Sequence, residues 1–436
     1  MSRPYVRMGD VALGSGPEAR CAGALRTGLD KAVPDAVAAA LAGLEGATPS
    51  LAIVEVAAPG DPNAGGRALG HAAHLIREVA PECAVVGSTA HGVIGPDVSV
   101  EMAPAISVWL ASLPGSAPRA FRVATVPGPH GGLALTGLPD ICADDRVAVL
   151  IADPWSLPLD DVVAAFARVD GPLPIVGGMV SGGGRRGDSR LVMDGAVFDN
   201  GAVGVVLGPE SPVRAVVSQG CRPIGDAMTV TDAHGQAVIT LAGRPALERV
   251  REVVESLDAE DQALAVRGLH VGIAHEGGAG DSAADYVVRG LMGIDPGSGA
   301  IAVGDEVAVG SVVRLHLRDA DSADADLRAV ADAIGPGPAG AYIFTCNGRG
   351  GAMFTSSDHD ASVIRDALGT SAIGGLFAAG EIGPVGGTNH LHGFTAVVLV
   401  VDPIAATDDV EVTRLSTPAS GDGIDFDAEL RALLDE

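Results

Sequence analysis

Residues 373–395 read IGGLFAAGEIGPVGGTNHLHGFT, an apolar lead-in that breaks into a run of glycines around one proline. The lead-in predicts the end of a buried strand, and the apolar segment Ala396 to Val401 predicts another strand after the run. Glycine permits tight turns and close approach to a ligand, while proline fixes the path of the chain. The stretch therefore predicts either a ligand-binding loop or a tight, hairpin-like corner whose glycines serve only the turn.

An internal duplication surrounds this stretch. Residues 87–96, GSTAHGVIGP, share the spacing G-x-x-A-x-G-x-I-G-P with residues 375–384, GLFAAGEIGP. At the same ungapped offset, 11 of 26 residues are identical between 71–96 and 359–384. A repeated spacing of this kind indicates two copies of one structural unit, each containing a strand, a helix, a second strand and a glycine-rich loop.

Alternating strands and helices predict an α/β fold, with α+β as the alternative. We expect two pseudo-repeated halves, each a mixed β-sheet with helices and with glycine-rich loops at the strand ends. A third glycine-rich run, at residues 177–184, also follows an apolar strand. Ligands tend to bind at the carboxyl ends of strands in such folds, so these loops predict a shared pocket. Near the amino terminus, the segment from Ala19 to Leu29 predicts a short helix.

Charge and composition exclude several classes of partner. The formal net charge is −27 and the pI is about 4.6, so nucleic acid and anionic membrane surfaces would be repelled. The five cysteines contain no C-x-x-C pair, so neither a zinc site nor a disulfide framework is indicated. No basic region followed by an apolar region begins the chain, and the apolar runs are too short to span a membrane. These features predict a cytoplasmic protein.

Several motifs resemble the FIST family (F-box and intracellular signal transduction proteins). The sequences TCNGRGGAMFT at 345–355 and GGLFAAGEIGPVGGTNHLHGFT at 374–395 are similar to its C-terminal half. VVGSTAHGVIG at 85–95 and IVGGMVSGG at 175–183 are similar to its N-terminal half, and the resemblance covers roughly residues 35–403. It implies an N-terminal extension (1–34), a FIST N-terminal domain (35–243), a FIST C-terminal domain (244–403) and an acidic tail (404–436).

The same resemblance implies a function. FIST proteins of the stand-alone bacterial type look like sensory domains that recognise small molecules such as amino acids. No F-box-like segment is evident in this sequence. A signal would therefore pass through a separate protein, such as a kinase.

The candidate ligand-binding residues follow from the chemistry of an amino acid, which needs a cation for its carboxylate and an anion for its ammonium group. Arg349 and Glu381 meet these needs from two glycine-rich loops, with Asn347 as an orienting amide. The alternative is that Arg349 and Glu381 pair with each other or cap local backbone. The predicted set is completed by polar side chains of the other glycine-rich segments: Asn389, His390, His392, Ser88, Thr89, His91 and Ser181.

Other chemistries have weaker support in the sequence. His390 and His392 could chelate from one strand face, but no third ligand has a suitable spacing, so no metal site is predicted. The resemblance also implies an alternative cofactor, because some relatives are described as heme-binding nitric-oxide sensors, and a heme would need one axial histidine and a large apolar slot. No catalytic motif occurs, and Cys346 beside Arg349, near the two histidines, is the sole outline of a nucleophilic site. We therefore predict a binding protein, with an enzyme acting on a small molecule as the alternative.

Overall fold

The computed structural model describes residues 18–128, 132–167, 173–275 and 286–403. Within these ranges the chain forms mixed sheets with helices packed on their faces, which confirms the predicted α/β class. The duplication seen in the sequence is present, and the structure adds a third copy of the same unit. The three copies follow one another along the chain, and a further sheet is inserted into the third.

The first copy occupies residues 20–112 and packs two helices on one face of its sheet. Asp61 caps the amino terminus of helix α2, since its side chain accepts a hydrogen bond from Ala64 N, and Pro62 is the first residue of the helix. The elements are β1 (Arg20–Thr27), α1 (Ala32–Gly43), β2 (Leu51–Ala57), α2 (Pro62–Val79), β3 (Ala84–Ala90), β4 (Gly92–Ile94), β5 (Ser99–Glu101) and β6 (Ala105–Ser112).

The second copy occupies residues 119–207 and has a single described helix. Its elements are β7 (Arg119–Pro127), β8 (Leu133–Thr136), β9 (Val147–Ala152), α3 (Leu159–Ala167), β10 (Ile175–Met179), β11 (Leu191–Met193), β12 (Ala196–Phe198) and β13 (Ala202–Leu207).

The third copy begins with β14 (Val213–Ser218) and is interrupted by an inserted segment, residues 221–318. The insert contains β15 (Cys221–His234), β16 (Ala237–Leu241), β17 (Arg244–Pro245), α4 (Ala246–Ser256), α5 (Ala259–Arg267), β18 (Leu269–Ala274), β19 (Tyr286–Asp295), β20 (Ala300–Val303) and β21 (Val312–Arg318). The copy resumes with α6 (Ala320–Ile334), β22 (Gly340–Cys346), α7 (Gly350–Met353), α8 (His359–Leu368), β23 (Ile373–Ala378), β24 (Glu381–Val385), β25 (Thr388–His392) and β26 (Ala396–Val401).

Each copy builds its sheet in the same order around one parallel pair. The orders are β1–β6–β2–β3, β7–β13–β9–β10 and β14–β26–β22–β23, and the parallel pairs are β2/β3, β9/β10 and β22/β23. Each copy also sends a two-stranded hairpin to a sheet other than its own. Hairpin β4–β5 joins the third sheet, β11–β12 joins the first and β24–β25 joins the second. This cyclic exchange ties the three sheets together.

The insert forms a sheet of its own in the order β15–β21–β18–β19–β20–β16–β17, with α4 beside it. The predicted boundary between the two halves, near residue 243, falls inside this sheet, just before β17. It stays a prediction. None of the helices in the described ranges is both long and apolar enough to cross a membrane.

The stretch at 373–395 forms β23 followed by the hairpin β24–β25. Gly386 and Gly387 form the two-residue turn of that hairpin, with φ of 60° and 82°. Two successive positive φ angles match the twist of a tight hairpin and suit glycine at both positions. The hairpin interpretation is therefore confirmed, although the chain that follows the hairpin lines a cleft described below.

The helix predicted near Ala19 to Leu29 is wrong, because residues 20–27 form strand β1. This strand pairs along its whole length with β6. A Cβ atom on Gly23 would lie 2.3 Å from the carbonyl oxygen of Ile373, so the strand packs directly on the third sheet. Tertiary packing therefore overrides the helical propensity of its alanines.

The inner faces of the three sheets share one hydrophobic core. Trp109, Val149 and Tyr342, one from each sheet, belong to it and are buried. Trp109 Nε1 donates to the carbonyl oxygen of Ala372 at 3.1 Å, and its ring meets Tyr342 edge-on at 5.6 Å. The Tyr342 hydroxyl donates to Glu55 Oε1 at 3.1 Å. The core thus joins all three copies.

One glycine lies at the equivalent position of each parallel strand pair. A Cβ atom on Gly87, Gly177 or Gly375 would lie 1.8, 2.0 or 2.2 Å from a carbonyl oxygen of the neighbouring parallel strand. Contacts this short with backbone cannot be relieved by moving a side chain. The equivalence of the three positions explains why the glycine spacing recurs in the sequence.

We expect alanine at Gly87, Gly177 or Gly375 to lower the free energy of unfolding by about 3 kcal/mol, the upper end of the cost of overpacking. Urea denaturation of each variant measures this loss. Gly184→Ala is the matched control, because a Cβ atom there meets nothing within 4 Å, and its stability should stay within about 0.5 kcal/mol of the parent. Equal stability of all four variants would contradict the proposed close packing.

Candidate functional site

A cleft of about 740 Å³ opens between the inserted sheet, helix α3 and the chain that follows hairpin β24–β25. Its walls combine residues that are far apart in the sequence. The lining includes side chains from α3 (Asp160, Asp161), from β10 (Met179), from the insert (His270, Val288, Arg289, Asp305, Glu306) and from the end of β25 and the following loop (Leu391, His392, Phe394).

The cleft forms at one of three equivalent hairpins because the insert covers that one. Hairpin β4–β5 is joined to α8 directly, since Ser99 Oγ donates to Asp358 Oδ1 at 2.7 Å. The turn of hairpin β11–β12 reaches α2, where Arg77 Nη1 lies 3.4 Å from Asp194 Oδ1. At β24–β25 the inserted sheet stands across the corresponding surface and leaves a space beneath it.

The cleft carries four carboxylates and one guanidinium. Arg289 donates from Nε to Asp305 Oδ2 at 2.9 Å and from Nη1 to the Leu391 carbonyl oxygen at 2.6 Å. Asp160 faces solvent in the cleft, and its pKa is raised by partial burial and then by the negative charge of Asp305. The side chains of Asp161 and Glu306 add two further negative groups. The cleft is therefore electronegative.

Two buried histidines in the cleft wall are neutral at pH 7. Burial lowers the pKa of His392 to about 3, and burial also lowers the pKa of His270. His392 Nε2 donates to the Gly383 carbonyl oxygen at 3.0 Å, which fixes its tautomer. His270 meets the edge of the Phe394 ring, with the centroids 5.0 Å apart. Neither ring offsets the carboxylate charge.

Phe394 is held in an unusual conformation at the cleft. Its φ is 61°, in the left-handed region that non-glycine residues rarely adopt. Two glycines allow this position, since a Cβ atom on Gly220 would lie 2.0 Å from the Phe394 carbonyl oxygen and one on Gly348 would lie 2.5 Å from its ring. Such conformations persist where the surroundings enforce them, often at functional sites.

Arg349 lies beneath this loop and is fully buried. Its guanidinium binds Asp360 through two bonds, Nε to Oδ2 at 2.7 Å and Nη2 to Oδ1 at 3.0 Å, and Nη1 donates to the Phe394 carbonyl oxygen at 3.3 Å. Burial opposes ionisation of Asp360, but Arg349 outweighs it and holds the pKa of Asp360 well below its usual range. Arg349 thus pairs with Asp360 and supports Phe394 from below.

Glu381 is also fully buried and holds the next residue of the loop. Its Oε2 accepts hydrogen bonds from Thr395 N at 3.1 Å and Thr395 Oγ1 at 2.6 Å. Burial raises the pKa of Glu381 to about 8, so the side chain is mostly protonated at neutral pH. Its Oε1 has no hydrogen-bond partner among the described residues. Glu381 and Arg349 therefore stand behind the cleft, in neighbouring positions, rather than in its wall.

The sulfur of Cys346 lies near Glu381 in this buried layer. Burial, and then the charge of Glu381, raises the pKa of the Cys346 thiol far above its usual value. A thiol in this environment carries little thiolate at neutral pH, and the thiolate is the nucleophilic form. The geometry gives no support to the nucleophilic site outlined from the sequence.

The remaining residues predicted on the C-terminal loops serve mainly structural contacts. Asn389 bridges to the second sheet, accepting from Ile175 N and donating to Leu173 O, both at 2.8 Å. Asn347 follows β22, and its backbone N donates to the Ala378 carbonyl oxygen at 2.8 Å. His390 lies beside His392, and burial lowers its pKa to about 4. Among these loop residues, His392 is the predicted one that lines the cleft.

The four residues predicted from the first half make three sets of contacts away from the cleft. Ser88 donates from N and Oγ to Glu55 Oε2, at 3.1 and 2.7 Å. Thr89 Oγ1 accepts from Arg190 N at 3.0 Å. Ser181 accepts from His91 N at 2.8 Å and donates to the Phe377 carbonyl oxygen. These contacts tie the glycine-rich segments of different copies together.

The sequence interpretation missed the residues that give the cleft its charge, namely Asp160, Asp161, Arg289, Asp305 and Glu306. One signal was present, because Arg289 stands alone as a charged residue in the apolar strand segment YVVRGLMG. The acidic residues carry no comparable signal, since acidic side chains are abundant throughout this chain.

Neither a metal nor a heme finds a matching set of residues. In the part of the chain that the structure describes, no group of three or more histidine, cysteine or acidic residues is placed to hold a metal ion. A heme needs a large apolar slot and an axial histidine. The cleft instead presents four carboxylates, and His392 Nε2 is already hydrogen-bonded to Gly383. The cleft lining therefore fits a heme poorly.

Comparison with known proteins agrees with this architecture. The FIST N domain matches residues 63–244 and the FIST C domain matches residues 246–384. The chain is 43% identical over 380 residues to the uncharacterized protein Rv0628c of Mycobacterium tuberculosis, covering 85% of this chain and 96% of that protein. It is 44% identical over 326 residues to the uncharacterized protein Mb0898c of Mycobacterium bovis, covering 73% and 83%.

The chain therefore belongs to the FIST family. FIST domains are associated with signal transduction and are proposed sensors of small ligands.

Proposed function

We propose that this protein is a sensor that binds a small polar ligand with an amino group, such as an amino acid, in the cleft beside Arg289. The observation that carries the proposal is the pairing of one guanidinium with several carboxylates in a single cleft of ligand size. Arg289 lines the cleft, and its guanidinium can bind a ligand carboxylate beside its bonds to Asp305 and the Leu391 carbonyl oxygen. Asp160, Asp161 and Glu306 offer acceptors for an ammonium group.

The position of the cleft suits a sensory role. Its walls come from the second copy (α3), from the third copy (the loop after β25) and from the insert, so one ligand contacts all three. Binding would therefore bias how the inserted sheet sits against the other two elements, and a ligand shifts such an equilibrium by its difference in affinity for the two arrangements. We propose that a separate signalling protein, such as a kinase, responds to that change.

A thermal-shift screen against amino acids and simple amines tests the proposal. A ligand present at about 100 times its Kd should add about 2.7 kcal/mol of stability. Arg289→Gln should reduce that shift for ligands with a carboxylate, while Arg185→Gln, an exposed arginine with 84% of its side chain accessible, should leave it unchanged. If no compound in the screen raises the melting temperature, the proposal is wrong. If a compound binds equally well to both variants, its site lies elsewhere.

A further inference from the structure

We infer that the ligand of this cleft is an alkyl compound with two ammonium groups, which outnumber its carboxylates and give it a net positive charge. A basic amino acid and a linear diamine share this chemistry. The inference rests on the proposed function, because it concerns the ligand of the same cleft. It goes further by excluding neutral and acidic amino acids as the preferred ligands.

The charges of the cleft lining are unbalanced. Asp305 forms an ion pair with Arg289, whose charge also acts on Asp160, so among the described residues of the cleft lining four carboxylates face one guanidinium. The histidines of the wall, His270 and His392, are neutral at pH 7 and do not offset them. A zwitterion would bring one positive and one negative charge and would leave the net negative charge of the cleft unchanged. A ligand with a second ammonium group would reduce it.

Part of the cleft lining is apolar. Met179, Val288, Leu391 and Phe394 line the same cleft as the carboxylates. A chain of methylene groups that ends in an ammonium group matches a wall that is apolar along part of its surface and acidic elsewhere. The Phe394 ring also tolerates a neighbouring cation, since the Arg318 guanidinium lies 4.8 Å from its centroid.

The cleft carboxylates are accessible from solvent. Asp160, Asp161 and Glu306 are exposed to solvent although they line the cleft, so their negative field extends into the surrounding solution. A cleft lined by one sign of charge attracts ligands of the other sign and repels those of the same sign. Acidic ligands would meet a barrier at the entrance before reaching Arg289.

Calorimetric titration of the full chain with matched ligand pairs tests the inference. Lysine and norleucine differ in the terminal ammonium group, and 1,4-diaminobutane and butylamine differ in the second one. We expect lysine to bind at least about ten-fold more tightly than norleucine, because its terminal ammonium group adds a charge-assisted hydrogen bond to a cleft carboxylate. Tighter binding of lysine than of 1,4-diaminobutane would identify a basic amino acid, and the reverse would identify a diamine.

Two variants locate the effect. Asp160→Asn and Glu306→Gln should each weaken lysine or diamine binding by about ten-fold and leave norleucine binding nearly unchanged. Asp30 and Glu82 are exposed and lie outside the cleft lining, so Asp30→Asn and Glu82→Gln are the matched controls. Melting temperatures near that of the parent would show that the variants fold.

The outcomes separate the two proposals. If norleucine or glutamate binds as tightly as lysine, the inference of a cationic ligand is wrong while the cleft remains a ligand site. If lysine binds tightly but Asp160→Asn and Glu306→Gln have no effect, the charge argument is wrong. If no compound of the panel binds, the proposed function fails, and the inference fails with it.

Discussion

Asp360→Ala should lower the free energy of unfolding by about 3–5 kcal/mol, because it leaves the buried Arg349 guanidinium without its counter-charge. Both side chains of the pair are at least 95% buried, and the pair is bidentate. Asp360 also accepts hydrogen bonds from Thr345 Oγ1 and pairs with His359 Nδ1 at 2.9 Å. Loss of the Asp360 carboxylate therefore leaves several buried polar groups without this hydrogen-bond partner. Urea denaturation at pH 7 measures the effect.

A second ion pair in the same region provides the control. Asp358 binds Arg365 at 2.8 Å and accepts a hydrogen bond from Ser99 Oγ, but about a fifth of each side chain of the ion pair is exposed, so Asp358→Ala should cost about 1–2 kcal/mol. Replacing both members of the buried pair, as Arg349→Met with Asp360→Leu, should recover much of the loss, since no unpaired charge remains. If Asp360→Ala costs no more than Asp358→Ala, the buried pair does not support the structure as proposed.

The stability of the folded protein should fall as pH rises from about 6.5 to 8. Burial raises the pKa of both Glu55 and Glu381 to about 8, whereas an unfolded chain releases these protons near the ordinary glutamate pKa of about 4.3. Between those pH values the folded state binds more protons than the unfolded state, so stability decreases with rising pH. Two such groups give a slope of up to about 2.7 kcal/mol per pH unit.

The buried histidines confine this effect to the upper part of the range. Their pKa values are lowered by burial, to about 4 for His316 and His390 and to about 3 for His392, and in the same direction for His270. Below about pH 6.5 the unfolded chain therefore binds more protons at these four sites, and stability rises with pH there. The two opposing contributions place the stability maximum in the weakly acidic to neutral range.

Denaturant titrations at pH 6.5, 7.25 and 8 measure the decline, and two variants assign it. Glu55→Gln and Glu381→Gln should each remove about half of the slope, because glutamine has no proton to lose. Glu101→Gln is the control, since this glutamate is only partly buried and accepts a hydrogen bond from Gly351 N. A slope that persists in the double variant would mean that other groups carry the pH dependence.

The repeated pattern of the fold could be predicted from the sequence because it depends on local backbone requirements. Gly87 and Gly375 recur at one spacing because each lies where a Cβ atom would meet the carbonyl of a parallel strand. Gly177 meets the same requirement, but its copy lacks the matching alanine, isoleucine and proline that revealed the other two. The second copy was therefore visible in the sequence only as an isolated glycine-rich run.

The contacts of the predicted site residues could not be read from the sequence. Arg349 and Glu381 were chosen as a complementary pair, but Arg349 binds Asp360 and Glu381 binds Thr395. These two side chains hold the loop that lines the cleft, but they lie behind the cleft wall. Spacing along a chain does not report the direction of a side chain beyond its own turn or strand.

The sequence by itself determined the α/β class, the family, the duplicated unit and the strong negative charge, because each depends on composition or on residues close together in the chain. Only the tertiary structure decided which hairpin joins which sheet, and it alone brought Asp160, Arg289 and His392 to one cleft. Hairpin exchange depends on which sheet edges are free once all three copies have formed. That long-range condition leaves no local pattern in the sequence.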